Sequence, residues 1–175
     1  SSFNEAIKID SLDPASYADR GIVYLYQLKY DSGIMDYEKV LTIDSTGKQA
    51  QGAYYYLGRT MSLQYKNKEA IFFFDKLIAL APKDAEAYYL RGLAKSNSMD
   101  VKGSISDYDM AIKYNSKYME AYANRGVQKI NALPVKEKLG KTDCLKSPCA
   151  DLLKAKELGD KTVNDMIFLY CKKCK

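Results

Sequence analysis

An all-α array of stacked repeats is the fold class this sequence predicts, on three observations. First, a phrase Tyr-x-x-(Arg/Leu)-Gly returns four times, ending at Gly21, Gly58, Gly92 and Gly126. These glycines stand 37, 34 and 34 residues apart, a period at which no unit buries its apolar face without neighbours. Second, apolar residues recur at three-and-four spacing on two segments of each unit, so each unit reads as two amphipathic helices. Third, small residues Gly33, Ala70 and Ser104 follow each of the first three glycines by twelve, where the paired helices approach closely.

Taken in order, Phe3, Ala6, Ile9 and Asp10 fit the second helix of an earlier repeat (1–12) whose first helix is absent, so the chain reads as starting inside a longer array. Repeat one covers 14–46, with helices near 15–28 and 31–43. Repeat two covers 51–83, with helices near 52–64 and 67–79. Repeat three covers 85–117, with helices near 85–98 and 101–113. Their second helices carry Asp36-Tyr37, Phe73-Phe74 and Asp107-Tyr108 at matching places, and Ser45, Pro82 and Ser116 close the units. Repeat four covers 119–160, with helices near 119–132 and 148–158. Its Asp151-Leu152 comes 25 residues after Gly126, so ten extra residues are inserted within 134–148. A smaller insertion surrounds Thr46-Gly47-Lys48. Residues 161–175 form a capping helix, near 162–173, over the end unit.

This pattern resembles the tetratricopeptide repeat over nearly the whole chain. The resemblance implies an α-solenoid of antiparallel helix pairs in a right-handed superhelix, with first helices on the concave side. It also implies which first-helix residues face inward: Ala18, Asp19, Ile22 and Tyr26; Tyr55, Tyr56, Arg59 and Leu63; Tyr89, Leu90, Leu93 and Asn97; Ala123, Asn124, Val127 and Asn131. Tyr55, Tyr56, Arg59 and Tyr89 cluster mid-array and are the strongest candidates for contact with a partner, since Tyr supplies rigid area with a polar tip. The competing reading of each Tyr is packing between neighbouring repeats.

Charged partners appear and disappear together. Arg20, Arg91 and Arg125 precede glycines in repeats whose second helices carry Asp36, Asp107 and Asp151; repeat two has Leu57 and Phe73 instead. This predicts Arg20–Asp36, Arg91–Asp107 and Arg125–Asp151 bridges within hairpins, orienting the helices more than adding stability.

The chain has 175 residues, 47% of them apolar, enough for a continuous elongated core, and it has no apolar run of transmembrane length. A chain starting mid-repeat would have lost any export signal. Of the net charge of +5, residues 133–175 carry +4, a solvated Lys-rich tail or a contact for an acidic partner or headgroups. That stretch lacks the interleaved aromatics and Arg stripe of nucleic-acid binding.

No histidine is present, which removes the commonest general base and any His-ligated metal. Gly140-Lys141-Thr142 imitates a phosphate loop, but Val135 stands where that motif needs glycine. No catalytic constellation and no cofactor site is expected.

Four cysteines remain, Cys144, Cys149, Cys171 and Cys174, and a helix start beside a capping helix should bring the two pairs together. Three chemistries suit them: disulfides in an exported protein, reduced core thiols, or a four-cysteine structural zinc. The stretch from Cys149-Ala150-Asp151 through Gly159-Asp160 to Tyr170-Cys171 resembles the closing unit of many bacterial tetratricopeptide proteins, with Leu152 where an aromatic is common. That resemblance implies a Cys149–Cys171 bridge, with Cys144–Cys174 as candidate second clamp. It also favours a periplasmic, outer-membrane-associated or extracellular place over the cytoplasm.

The expected role is a non-enzymatic scaffold binding a peptide or protein segment, within a multi-protein bacterial envelope or secretion assembly. The alternative is an intracellular regulatory domain, zinc-stabilised, attached to a catalytic domain upstream. The carboxylate clamp by which family co-chaperones hold heat-shock chaperone tails is not expected. The places it would use hold Ala18, Ile22, Tyr56, Glu86 and Leu90, or Tyr55, Arg59, Leu90, Glu120 and Asn124.

Overall fold

The computed structural model describes residues 2–134 and 148–171. Among these residues are ten helices and no strand, gathered into two compact units, 1–82 and 83–175. The N-terminal unit holds α1 (Ser2–Ile9), α2 (Pro14–Tyr26), α3 (Tyr30–Ile43), α4 (Lys48–Leu63) and α5 (Asn67–Leu80). The C-terminal unit holds α6 (Ala85–Asn97), α7 (Val101–Tyr114), α8 (Met119–Ala132), α9 (Cys149–Glu157) and α10 (Asn164–Tyr170).

Helix starts follow local chemistry. Asp13 accepts hydrogen bonds from the N–H groups of Ala15 and Ser16 at 3.1 and 3.0 Å, and Pro14 takes the first helical position, where no N–H is needed. Asp84 caps α6 the same way through Glu86 and Ala87. The residues around Thr46-Gly47-Lys48 do not form a longer loop. Asp44 accepts from the Gly47 N–H at 2.9 Å and α4 begins at Lys48, earlier than the expected 52, so the insertion lengthens a helix.

The α2–α3, α4–α5 and α6–α7 hairpin turns share one stop. Leu28, Tyr65 and Met99 each adopt a left-handed backbone, with φ of 59°, 59° and 61°. The following N–H closes back on the helix in each case: Lys29 to Tyr24, Lys66 to Met61 and Asp100 to Lys95, all at 2.9 Å. This αL geometry satisfies orphan carbonyls and reverses the chain within three residues.

Inside each of the first three hairpins a glycine faces an aromatic ring. A Cβ on Gly58 would stand 2.6 Å from the Phe74 ring, and one on Gly92 would stand 2.8 Å from Tyr108. Any side chain there would force the helices apart, so the period in the sequence is a period of close approach. In the last hairpin Leu152, fully buried, fills the place of the aromatic. Buried Tyr17, Tyr37, Val40, Ala53 and Leu57 form a core in the N-terminal unit; Ile130, Cys149, Leu152, Ala155, Val163 and Cys171 form one in the C-terminal unit.

Charged pairs bridge the same hairpins. Arg20 meets Asp36 through Nε at 2.8 Å and Nη2 at 2.6 Å; Arg91 meets Asp107 at 2.9 and 2.6 Å. Arg125 grips Asp151 in the same two-pronged way. Lys95 adds to Asp107 and Lys129 to Asp151, both at 2.9 Å. The carboxylates are almost wholly buried, which makes the pairing obligatory once they are there. Two arginines reach further: Arg20 donates to Asn4 on α1 and Arg125 to Asp109 on α7.

Cys149 and Cys171 are bonded, S–S 2.00 Å, tying α9 to the residue after α10. Their sulfurs therefore have no thiolate to offer a zinc ion, and the four-cysteine site expected as one alternative gives way to the bridge. Cys144, Cys174 and most of the 134–148 insertion lie outside the described residues. The terminal helix is shorter than the expected 162–173, ending at Tyr170 where the bridge begins.

Candidate functional site

In the N-terminal unit, α2 and α4 turn one face each toward a shared hollow. Ile22, Leu25 and Tyr26 lie three and four apart on α2; Tyr56, Arg59, Thr60 and Leu63 follow the same spacing on α4. With Leu28 of the turn and Tyr30 at the start of α3, they line a cavity of about 300 Å³. Of the residues expected to face a partner, Ile22, Tyr26, Tyr56, Arg59 and Leu63 thus meet at one place. Asp19 is exposed on α2 but does not line the hollow, and neither does Tyr55.

The back of the hollow is braced by rings. Tyr56 stacks on buried Tyr37, centroids 5.3 Å apart, and Tyr55 meets Tyr56 edge-on at 5.1 Å. Tyr55 also positions Arg59: its phenol oxygen accepts from Nη1 at 3.1 Å, and the guanidinium lies 5.4 Å from its ring centre. Among the described residues no carboxylate forms an ion pair with Arg59, in contrast to Arg20 in the same unit. Tyr26, Leu28 and Leu63 stand largely in solvent, at 84, 70 and 64% exposure.

In the C-terminal unit the expected residues take another arrangement. Tyr89 is half-buried between Tyr118 and Tyr108, centroids 4.7 and 5.9 Å away, and its oxygen accepts from Asn124 Nδ2 at 3.1 Å. Burial is the main cause that raises its phenol pKa above the ordinary tyrosine value. Leu93 is half-buried, while Asn97 and Asn131 are exposed. Gln128 donates to Ser96 at 2.7 Å, a further link between the first helices of this unit.

Sequence reasoning missed Leu25, Leu28, Tyr30 and Thr60 as lining residues. Leu28 and Tyr30 belong to the turn and the second helix, outside a pattern drawn from first helices alone. A bulky apolar residue at a helix stop, where glycine fits best, was the available signal.

No family model and no curated protein matches the chain. Solved structures do. A MamA double mutant superposes with a TM-score of 0.77 at 20% identity, covering 93% of this chain and 84% of that one. MamA from Desulfovibrio magneticus RS-1 gives 0.75 at 22%, covering 89% and 81%. The first tetratricopeptide-repeat domain of Spaghetti (RPAP3), bound to an HSP90 peptide, gives 0.63 at 21%, covering 69% and 93%. PilW, a type IV pilus biogenesis factor, gives 0.64 at 14%, covering 90% and 64%. Likeness at such identity speaks for architecture, and the architecture of this chain is the tetratricopeptide-repeat fold.

Proposed function

We propose that the chain is a non-enzymatic interaction scaffold that receives a segment of another protein on the first-helix face of its N-terminal unit. The observation that carries this reading is the convergence of Ile22, Tyr26, Tyr56, Arg59 and Leu63 on one largely apolar hollow whose outer wall is left in water. Exposed apolar walls beside ordered polar groups are what a protein-binding pocket needs, whereas a monomer gains nothing from them. The repeat architecture supplies such faces without any catalytic group, and the chain has no histidine.

The setting we favour is a bacterial envelope or secretion assembly. The Cys149–Cys171 bridge supports it, because disulfides persist in oxidising compartments. Among the described residues no helix is long and apolar enough to cross a membrane. A heat-shock chaperone tail is a poor candidate partner, since Glu86 and Glu120 stand where its carboxylates would need cations.

Affinity capture followed by mass spectrometry tests the reading, comparing wild type with a Tyr26→Glu/Leu63→Glu variant. Both positions are exposed, so the fold should persist by circular dichroism. A partner retained by wild type and lost by the variant is the expected result. Equal recovery by both would remove the N-terminal face from consideration.

A further inference from the structure

We infer that the hollow between α2 and α4 selects a partner segment in which a bulky apolar side chain sits beside a carboxylate, the carboxylate being taken by Arg59. This rests on the scaffold reading and names the chemistry that reading would select.

Size comes first. About 300 Å³ is the low end of ligand pockets, room for one or two side chains and not for an extended small molecule. Ile22, Leu25, Leu28 and Leu63 give aliphatic walls, and Tyr26, Tyr30 and Tyr56 give aromatic ones. A ring or branched aliphatic entering there is covered on several sides and in turn covers Tyr26, Leu28 and Leu63, which otherwise stand in water.

Charge decides the neighbour. The arginines before Gly21, Gly92 and Gly126 are each held in two-pronged contact by a buried aspartate. Arg59 follows its glycine and lies on the other side of the helix. Its polar partner there is the neutral Tyr55 phenol, and the Tyr55 face lies beneath its guanidinium. A guanidinium oriented by a hydroxyl and a ring, with no carboxylate among the described residues in ion-pair contact, still offers N–H groups in the fork geometry that suits a carboxylate. Lys29 and Asp31, at the adjoining turn, carry opposite signs and do not set the local potential; Asp19 is exposed on α2, away from the lining.

The test titrates ¹⁵N-labelled full chain with three synthetic peptides: Gly-Ser-Gly-Phe-Glu-Gly-Ser, its Phe-Lys counterpart and its Ala-Glu counterpart. The Phe-Glu peptide should bind about fivefold to tenfold more tightly than either, a range set by a partly exposed ion pair gained against a repulsion. Amide shifts should centre on Ile22, Tyr56, Arg59 and Leu63. Arg59→Glu should reverse the order so that Phe-Lys binds better, a result a merely structural role would not produce. Because Arg59 is exposed, the variant should keep its circular dichroism spectrum. Tyr26→Ser should weaken all three peptides. Equal binding of Phe-Glu and Phe-Lys, shifts centred elsewhere, or no binding at millimolar peptide would each overturn the inference. Partner capture lost with Tyr26→Glu/Leu63→Glu, alongside such a failure, would leave the scaffold reading standing and remove only this one.

Discussion

Arg91 holds Asp107 with two N–H groups, Nε at 2.9 Å and Nη2 at 2.6 Å, across the α6–α7 hairpin, and Lys95 closes on the same carboxylate. The α4–α5 hairpin solves the same position without charge, using Leu57, Met61 and Phe73. One chain therefore contains both the polar and the apolar version of one joint. Arg91→Leu alone strands a buried carboxylate with Lys95 as remaining cation and should cost about 2–3 kcal/mol, somewhat less than an unpaired buried charge. The triple variant Arg91→Leu/Lys95→Met/Asp107→Phe, which copies the apolar joint, should return to within about 1 kcal/mol of wild type. Urea unfolding followed at 222 nm measures both. A triple variant no more stable than the single one would mean the joints are not interchangeable.

What was legible in the sequence follows from repetition. Hairpin pairs such as Arg20 with Asp36 could be read because four copies of one environment sit in one chain, and covariation among copies stands in for an alignment. The second reach of these arginines, Arg20 to Asn4 and Arg125 to Asp109, was not legible. Asn4 and Asp109 differ in charge, so no matched set marks them. Cavity lining was half legible for a similar reason: first-helix positions repeat, whereas the contribution of Leu28 depends on a turn dihedral that composition does not encode. The insertion around 46–48 was legible by its length, whereas the turn in which Asp44 accepts from the Thr46 and Gly47 N–H groups, letting α4 start at Lys48, was not.

Met99 occupies a left-handed stop at φ 61° and is 87% exposed, so its side chain gains little from packing. For a residue with a Cβ this conformation costs roughly 1–2 kcal/mol, against a smaller entropic penalty for glycine. Met99→Gly should therefore raise stability by about 0.5–1 kcal/mol, with unchanged helix content. Thermal unfolding compares the two proteins; a lower midpoint for the glycine variant would show that the turn is not strained.

Tyr37 stacks on Tyr56 while its own hydroxyl is buried without a hydrogen-bond partner among the described residues. Burial first, then the nearby Tyr56 and Asp19, pushes its phenol far above the ordinary tyrosine range, and burial does the same at Tyr108. The unfolded chain ionises these phenols near pH 10 while the folded chain resists. Their contribution is complete below that pH and is lost as pH rises beyond it, by up to about 1.4 kcal/mol per pH unit for each. Thermal midpoints from pH 8 to 11.5 should fall above pH 10, and Tyr37→Phe should flatten the fall. At pH 7 the same variant, matching Phe74 of the next hairpin, should be neutral or up to about 1 kcal/mol more stable. An unchanged alkaline slope in Tyr37→Phe would exclude this phenol as a source.

The end of the array depends on Cys149–Cys171 more than on contact area. Helix α10 has no fully buried residue of its own; Met166, Ile167 and Tyr170 are half-buried against the cluster, while Phe168 and Leu169 are 70 and 52% exposed. The bond closes a loop with a sequence separation of 22, for which chain entropy gives about 3 kcal/mol. Reduction, or Cys149→Ala/Cys171→Ala, should therefore free α10 before anything else unfolds. Ile130, Leu152 and Ala155 would then face water, since α10 is what covers that side of their cluster. Hydrogen exchange should quicken first at residues 164–170 and next along α8 and α9, with the N-terminal unit unaffected. Exchange in α10 that is identical in oxidised and reduced protein would mean that packing alone holds the terminal helix.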